Sequence, residues 1–220
     1  MNTKKIKNNM IILCGGRGKR MGKITDNIPK PLLKVGKEPI IEHKIRYYKS
    51  QGFKNFIFCL GYKAKQLQSF LSKKNPNSIY SNAGINAGIL KRIHFAKKFI
   101  NDLTVISYGD TLAKINFRHL IQNHRKSKCA LTIVAAPIQN PFGLVNWNHK
   151  SKAINFEEKP ILNHYIGYAV ISPNFFNKLS KKIVNLKDGK GIIQAIKNLI
   201  SKKQVNIYKF NKLQVTINSP

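Results

Sequence analysis

The sequence predicts an α/β fold of three layers, in which a mostly parallel mixed sheet lies between helices on both faces. Short apolar runs of strand length recur along the chain, and stretches with helical periodicity separate them. Strands that alternate with helices in this way are typical of a parallel sheet covered on both faces. The length of 220 residues suits one domain over 1–220, and a hydrophobic fraction of 42% is enough for a core.

The first half of the chain carries the clearest alternation. In the helix predicted for 40–52, Ile41, Ile45 and Tyr48 fall on one side and Gly52 closes the pattern. The predicted elements are, in order, a strand at 9–14, a helix at 40–52, a strand at 56–60, helices at 64–71 and 87–99, a strand at 103–107, a helix at 117–126 and a strand at 131–136.

The second half is less regular, and its elements are shorter. Strands are predicted at 144–146, 153–156 and 166–172, helices at 175–181 and 192–201, and closing strands at 205–208 and 213–217. No internal repeat, low-complexity linker or change in composition marks a boundary, so the whole chain is interpreted as a single domain.

The charge balance is strongly basic. Forty Lys and Arg residues stand against eight Asp and Glu residues, which gives a formal net charge of +32. Such a field favours polyanions such as nucleic acid, anionic lipid or nucleoside triphosphates. The excess is mostly lysine and is scattered along the chain, without interleaved aromatic residues. We interpret it as compositional bias and do not expect nucleic acid as a partner, although a basic nucleic-acid-binding protein stays as the last alternative.

Cysteine usage and hydropathy predict the compartment. Cys14, Cys59 and Cys129 lie in or beside apolar runs without metal-ligand spacing, which indicates free thiols in a reducing environment. No apolar run reaches the ~20 residues that cross a bilayer, and the run at 10–14 is too short for the core of a signal peptide. We therefore expect a cytoplasmic protein with no membrane span.

A basic, glycine-rich loop follows the first predicted strand, and it reads CGGRGKRM. Glycines let backbone N–H groups approach phosphate oxygens, and the flanking cations favour the same ligand. The loop fails the dinucleotide fingerprint, which would need Gly in place of Met21. It also fails the P-loop pattern, which would need Ser or Thr in place of Arg20 and Gly in place of Leu13. An ordinary surface turn remains the alternative.

A larger set of motifs narrows the interpretation. GGRGKRM and PKPLL are followed in order by VGKEPIIEH, FIFCLGYK, AGILKRI, ISYGD, PFGLVN, FEEKP and GYAVISPNFF. This set resembles the sugar-phosphate nucleotidyltransferases over nearly the whole chain, and it is most similar to their glucose-1-phosphate cytidylyltransferase branch. The resemblance implies a Rossmann-like, GT-A-like fold with a nucleotide-binding half at 1–110 and a sugar-phosphate-binding half at 111–220. It also implies transfer from an NTP, with CTP favoured, to a sugar 1-phosphate, giving an NDP-sugar and pyrophosphate for cell-surface polysaccharide synthesis.

The resemblance assigns roles on the nucleotide side. Arg20 would clamp phosphate, Lys30 would act as a positive charge braced by two prolines, and Asp110 would bind Mg²⁺ as the cofactor. The implied nucleotide-binding residues are Leu13, Gly15, Gly16, Gly18, Arg20 and Gly88, and the implied catalytic residues are Arg20, Lys30 and Asp110. The remaining charges of these motifs, Arg17, Lys19, Lys91 and Arg92, are interpreted as surface charges.

On the sugar-phosphate side, the resemblance implies that Lys159 holds the attacking phosphate and that Glu158 accepts sugar hydroxyls. Gly143 and Gly167 would let the backbone approach the sugar. The alternative for the acidic and basic pair is a solvated charge run. Tyr165 stands where the family often has Asn, so sugar recognition is expected to differ.

The C-terminus departs from the family pattern. Thr216 aligns with an Asp that is a second metal ligand in the family, and the chain ends with LQVTINSP where relatives continue, so a truncated C-terminus is expected. Mg²⁺ can bind to one carboxylate together with substrate phosphates and water. Both an active enzyme that uses NTP and sugar 1-phosphate and a non-catalytic or diverged nucleotide-binding relative therefore stay open, as does a homo-oligomer.

Overall fold

A computed structural model describes residues 8–212 and 214–216, with the backbone alone for Lys19. It confirms the predicted three-layer α/β fold with a central, mostly parallel sheet. In chain order, the strands are β1 (Asn9–Leu13), β2 (Lys34–Val35), β3 (Glu38–Pro39), β4 (Phe56–Leu60), β5 (Ile79–Asn82), β6 (Thr104–Tyr108), β7 (Thr111–Ala113), β8 (Leu131–Gln139), β9 (Leu144–Trp147), β10 (Ala153–Glu157), β11 (Ile161–Ile171), β12 (Val205–Lys209) and β13 (Gln214–Thr216).

The helices connect these strands. They are α1 (Ile24–Asn27), α2 (Ile40–Ser50), α3 (Ala64–Lys74), α4 (Ile89–Phe95), α5 (Phe117–Ser127), α6 (Lys181–Val184) and α7 (Lys190–Ser201). Short 3₁₀ turns lie at Lys19–Met21, Lys30–Leu32, Ala96–Phe99 and Pro173–Lys178.

The central sheet has seven strands in the order β12-β8-β11-β6-β1-β4-β5. β1 pairs in parallel with β4 on one side and with β6 on the other, so that Ile12 lies opposite both Phe58 and Ser107. β4 and β5 are also parallel, as are β8 and β12. β11 alone runs antiparallel to its neighbours β6 and β8. Strands from both predicted halves of the chain therefore share one sheet.

The alternation of side chains along β1 explains the two helical layers. Met10 and Ile12 pack on the face that α2, α3 and α5 cover, whereas Ile11 packs on the face covered by α4 and α7. All three side chains are fully buried. Strands that are buried on both faces read as continuous apolar runs, which is why the sequence predicted them.

Several elements differ from the sequence prediction. The edge strand Ile79–Asn82 and the short strand Thr111–Ala113 were not predicted, because neither forms an apolar run. The helix predicted for 87–99 begins at Ile89 and ends as a 3₁₀ turn. The helix predicted for 175–181 is the 3₁₀ turn Pro173–Lys178, which follows from the proline at its start. The last predicted strand is present as Gln214–Thr216, and Leu213 and Ile217 lie outside the described residues.

A hairpin projects from the sheet and exposes apolar side chains. Strands β9 and β10 pair with each other apart from the central sheet. We call residues 142–162, which comprise this hairpin and the first two residues of β11, the exposed arm, because its apolar side chains are accessible to solvent. These are Phe142, Val145, Trp147, Ile154, Phe156, Ile161 and Leu162. Within the described residues, the helices are all too short or too polar to span a membrane.

The buried histidine of α5 predicts a pH dependence of stability. His124 lies with Nδ1 2.7 Å from the Thr132 hydroxyl and Nε2 2.8 Å from the Ser172 hydroxyl. Burial, with a smaller contribution from Arg125, lowers its pKa from 6.5 to about 4. Because the folded state favours the neutral ring, this stabilisation is present above about pH 6.5 and is lost as the pH falls towards 4.

We expect the free energy of unfolding to fall by a few kcal/mol across that window, at about 1.4 kcal/mol per pKa unit. Urea unfolding of the wild type and of His124→Gln at pH 7 and pH 4.5 measures this difference. The variant should lose less stability on acidification than the wild type. Equal losses in the two proteins would show that His124 does not contribute.

Candidate active site

The candidate site is a cleft at the carboxyl end of β1. Because β4, β1 and β6 are parallel neighbours, the loops that follow them leave the same edge of the sheet. The cleft has a volume of about 640 Å³. It is lined by Leu13, Cys14, Gly15, Gly16, Arg17, Gly18, Arg20, Lys30, Pro31, Ile85, Asn86, Ala87, Ile89, Arg92, Tyr108, Gly109, Asp110, Lys187, Asp188 and Gly189. The structure thus brings together most of the residues predicted for the nucleotide side.

The glycines of the loop after β1 have different surroundings. A Cβ on Gly16 would meet no atom within 4 Å, so this residue borders open space. A Cβ on Gly15 would contact the Arg92 guanidinium and lie 2.7 Å from the Leu60 carbonyl oxygen. Gly18 has a φ of +67°, which disfavours other residues there. Of these three residues, only Gly16 has no contact or backbone angle within the protein that would require glycine. This is expected where a ligand approaches the backbone.

An ion pair crosses the cleft between two of the predicted catalytic residues. The Lys30 ammonium lies 2.8 Å from Oδ2 of Asp110, and their side chains are 11% and 24% exposed. Lys30 begins a 3₁₀ turn after Pro29, whose fixed φ helps to define the start of that turn. Asp110 lies in the turn between β6 and β7. Two residues eighty positions apart are therefore held in contact at the edge of the sheet.

The charges that line the cleft are mostly positive. The cations are Arg17, Arg20, Lys30, Arg92 and Lys187, and the acids are Asp110 and Asp188. The two acids offset only part of the field of the five cations. Because a cleft concentrates the field of the charges that line it, the excess of cations attracts an anionic ligand. A triphosphate fits this balance.

Arg92 corrects the interpretation made from sequence, because it is only 5% exposed and is not a surface charge. Its Nη1 donates to the Leu60 carbonyl, at the end of β4, and its Nη2 donates to the Ile85 carbonyl at 3.2 Å. Burial lowers the pKa of its guanidinium below the usual value. Lys91, its neighbour on α4, is exposed as predicted. The guanidinium therefore joins the end of β4 to the loop before α4.

A contact between Ile89 and Asp188, which both line the cleft, was not predicted from the sequence. Gly88 is not among the residues that line the cleft. It packs against the turn before α7, where a Cβ would contact the Leu186 carbonyl. Ile89 donates its backbone N–H to the Asp188 carbonyl at 2.8 Å. This contact places the exposed Asp188 carboxylate beside the cleft. Of the motif AGILKRI, Ala87, Ile89 and Arg92 line the cleft.

The residues predicted for the sugar phosphate lie on the exposed arm and beside Tyr108. Gly143 and Glu158 are neighbours, since a Cβ on Gly143 would lie 3.2 Å from Oε2 of Glu158. Glu158 and Lys159 form an exposed ion pair of 3.7 Å. None of these three residues lines the cleft. The structure brings them together, but apart from the nucleotide side.

Gly167 is closer to the cleft. It has a φ of +77°, and a Cβ there would lie 2.9 Å from Cβ of Tyr108, which lines the cleft. Tyr165 packs edge-on against Tyr108, with ring centroids 5.7 Å apart. Burial raises the pKa of Tyr108 to about 12, so its hydroxyl stays protonated at neutral pH. This aromatic pair forms the boundary between the cleft and β11.

Thr216, which the resemblance aligns with a metal-binding Asp, is the last residue of β13. β13 pairs with β7 so that Thr216 lies opposite Thr111, the residue after Asp110. The two hydroxyl oxygens are 3.3 Å apart. The Thr216 hydroxyl therefore lies beside that of Thr111, the residue after Asp110, at a position where the resemblance implies a carboxylate. Ile217 and Asn218 to Pro220 lie outside the described residues.

The side chains present bear on a metal ion. In the described part of the chain, no three metal-ligating side chains converge. Asp110 nevertheless offers a carboxylate at the edge of a cleft suited to phosphates. One carboxylate with phosphate and water oxygens is a donor set that Mg²⁺ accepts, so the residues fit a metal that arrives with a nucleotide.

The surroundings of the two adjacent glycines predict unequal effects of the same substitution on stability. Gly15→Ala should destabilise the protein by about 1–3 kcal/mol, because the new methyl group overpacks against Arg92 and Leu60. Gly16→Ala should change stability by less than about 1 kcal/mol, because it meets no atom. Thermal and urea unfolding of both variants measure this. A larger loss in Gly16→Ala than in Gly15→Ala would contradict the described packing.

Arg92 has a matched control in the preceding residue. Arg92→Met leaves the Leu60 and Ile85 carbonyls without these donors and should cost about 2–4 kcal/mol. Lys91→Met removes an exposed charge and should stay within about 0.5 kcal/mol of the wild type. Equilibrium unfolding in urea compares the two variants. Similar values for both would mean that Arg92 is not a structural contact.

Comparison with known proteins agrees with this site. The sequence profile described as nucleotidyl transferase matches residues 9–214. The chain is 31% identical to the probable glucose-1-phosphate cytidylyltransferase of Bacillus subtilis (strain 168), over 90% of this chain and 87% of that protein. It is 32% identical to the D-glycero-α-D-manno-heptose 1-phosphate guanylyltransferase of Campylobacter jejuni, over 68% of this chain and 67% of that protein.

A solved structure shares the fold. HddC from Yersinia pseudotuberculosis, complexed with GMP-PN, superimposes with a TM-score of 0.73 at 18% identity, covering 97% of this chain and 95% of that one. The relatives named here differ in the nucleotide that they transfer, so they agree on the class of reaction and not on the base. With a matching profile over almost its whole length and a cation-lined cleft at the carboxyl end of its parallel strands, the chain belongs to the nucleotidyl transferase family.

Proposed function

We propose that the protein transfers the nucleotidyl group of CTP to a sugar 1-phosphate, with Mg²⁺, and releases pyrophosphate. The observation that carries the proposal is the Lys30–Asp110 ion pair at the cleft, beside the open backbone at Gly16. This pair supports the proposal because its ammonium would bind phosphate and its carboxylate would bind the metal. The resulting nucleotide sugar would serve cell-surface polysaccharide synthesis.

The chemistry asks little of acids and bases. A sugar phosphate is mostly dianionic at neutral pH, because its second pKa is about 6. One of its oxygens attacks the α-phosphorus of the NTP, the bond from that phosphorus to the bridging oxygen breaks, and pyrophosphate leaves with the electron pair. No proton has to move. Catalysis then consists of neutralising the anions and aligning them.

The residues of the cleft match these tasks. In the free protein Lys30 is neutralised by Asp110, and an arriving triphosphate offers its ammonium several anionic oxygens. The exchange releases the Asp110 carboxylate, which would hold Mg²⁺. The bound ion supplies charge neutralisation on the triphosphate. Arg20 contributes a planar fork for two phosphate oxygens, and Gly16 leaves room for the chain of phosphates.

The preference for CTP and the sugar-phosphate site have separate support. Similarity to the Bacillus subtilis protein over 90% of this chain supports cytidine. The sugar phosphate would approach from the side of β11, where Gly167 and Tyr108 border the cleft. Lys159 and Glu158 of the exposed arm would reach it from that side. On this proposal, 1–110 binds the nucleotide and 111–220 binds the acceptor.

A second candidate is a nucleotide-binding protein without turnover. Thr216 favours it, because this residue pairs with Thr111, directly after Asp110, and is a threonine where the family pattern has a second carboxylate. Such a protein would bind NTP through the same cleft. Its signature would be NTP binding by calorimetry, without pyrophosphate, for every acceptor tested.

A matrix of NTPs and sugar 1-phosphates with pyrophosphate detection tests the enzyme directly. CTP should give the highest kcat/KM, and both Asp110→Asn and Lys30→Met should lower kcat by about 10²–10³-fold, because each removes a charge at the reacting phosphates. Lys73→Met, on the exposed surface of α3, is the matched control and should keep wild-type activity.

The outcomes separate the alternatives. Turnover with an NTP other than CTP would support nucleotidyl transfer and contradict the proposed preference for cytidine. Nucleotide binding without turnover over the full matrix would establish the second candidate. Wild-type activity in Lys30→Met would remove the assigned role of the ion pair.

A further inference from the structure

A lysine is buried in the core behind the turn that carries Asp110. Lys44 lies in the middle of α2 and is only 1% exposed. In the described part of the chain, no carboxylate forms an ion pair with it. An ammonium without a counter-ion is costly to bury, and a leucine or methionine would fill the same space at lower cost. Its contacts show what it does there.

Lys44 holds the backbone immediately after Asp110. Its Nζ donates to the Thr111 carbonyl and to the Tyr168 hydroxyl, the latter at 3.1 Å. Tyr168 donates to the same Thr111 carbonyl at 2.7 Å. One carbonyl at the start of β7 thus receives two buried donors, one from α2 and one from β11. A backbone oxygen held from two directions has little freedom to shift.

Aromatic faces take the place of a carboxylate around the ammonium. Nζ lies 5.4 Å from the ring centre of Tyr48 and 5.0 Å from that of Tyr168. Both distances fall within the range of cation–π attraction, which strengthens when the groups are away from water. Burial raises the pKa of the Tyr48 hydroxyl, so that it stays protonated and able to donate.

The same network reaches the other side of the turn. The Tyr48 and Ser107 hydroxyls are 2.6 Å apart, and Ser107 donates to the Tyr108 carbonyl at 3.1 Å. Gly109 donates its N–H to the Leu13 carbonyl at 3.1 Å. The backbone on both sides of Asp110 is therefore anchored, and the Asp110 side chain projects from a fixed turn.

We propose that Lys44 is a positioning residue for Asp110: it fixes the Thr111 carbonyl and thereby the place at which the Asp110 carboxylate meets Lys30 and the nucleotide. Its consequence for catalysis rests on the proposed function, whereas its consequence for the turn does not. A carboxylate displaced by about 1 Å can cost a hundredfold in rate without loss of binding. Lys44 therefore acts on kcat through Asp110 and touches no substrate.

The test compares Lys44→Met with Lys49→Met, an exposed lysine on the same helix. Methionine has similar length and keeps the core filled, so the unfolding midpoint of Lys44→Met should equal or exceed that of the wild type. We expect kcat to fall about 10–100-fold, with KM for the NTP changed less than about threefold. Lys49→Met should leave both parameters unchanged.

Hydrogen exchange of the peptide that contains 108–112 gives a readout that needs no activity. Exchange there should rise at least about tenfold in Lys44→Met, without a rise elsewhere and without lower global stability. Tyr168→Phe removes the other donor to Thr111 and should raise exchange in the same peptide. If Lys44→Met does not fold, hydrogen exchange in Tyr168→Phe tests whether these donors hold the turn.

Each outcome has a defined meaning. Wild-type exchange at 108–112 in Lys44→Met overturns the inference, as does an unchanged rate constant in an active enzyme. If Lys44→Met does not fold, unchanged exchange in Tyr168→Phe overturns it. If the wild type shows no turnover, the proposed function fails, and hydrogen exchange alone still establishes or refutes the positioning role.

Discussion

The parallel pairing of β1 with a neighbour on each side is the constraint from which the site follows. β1 pairs with β4 and β6 in parallel, and the segments that follow β1 and β6 both contribute residues to the cleft. The glycine loop, the end of β4 and the turn with Asp110 therefore lie close together because the carboxyl ends of parallel strands meet at one edge of the sheet. The Lys30–Asp110 pair is then a local consequence of the sheet order.

The scarcity of acids governs how the interior cations are stabilised. With forty basic residues and eight acidic ones, few buried cations can have a carboxylate partner. Arg92 and Lys44 are held instead by backbone carbonyls and, for Lys44, by tyrosine rings. The carbonyls that they hold belong to the ends of strands and to loops around the cleft. Two residues that a charge count would place in solvent thus shape the walls of the candidate site.

Much of the fold could be predicted from the sequence, because buried parallel strands appear as apolar runs and amphipathic helices as a helical repeat of apolar residues. The edge strand Ile79–Asn82 was not, since an exposed edge carries no apolar run. The nucleotide side was predicted residue by residue from the ordered motifs, and most of it lines the cleft. Lys44 was missed although it lies among the apolar residues of its helix, between Ile41 and Tyr48. Because lysine is frequent throughout this chain, a lysine at position 44 did not stand out as a buried or functional residue.

The placement of Arg92 has a consequence for how this sequence can diverge. Its guanidinium fills the space where a Cβ of Gly15 or of Gly61 would lie. Three positions in separate parts of the chain therefore share one volume. A lineage can gain a side chain at either glycine only after the arginine has shortened, and it can lengthen residue 92 only while both glycines persist. Among relatives these three positions should change in a fixed historical order, leaving a correlated trace that no local motif would show.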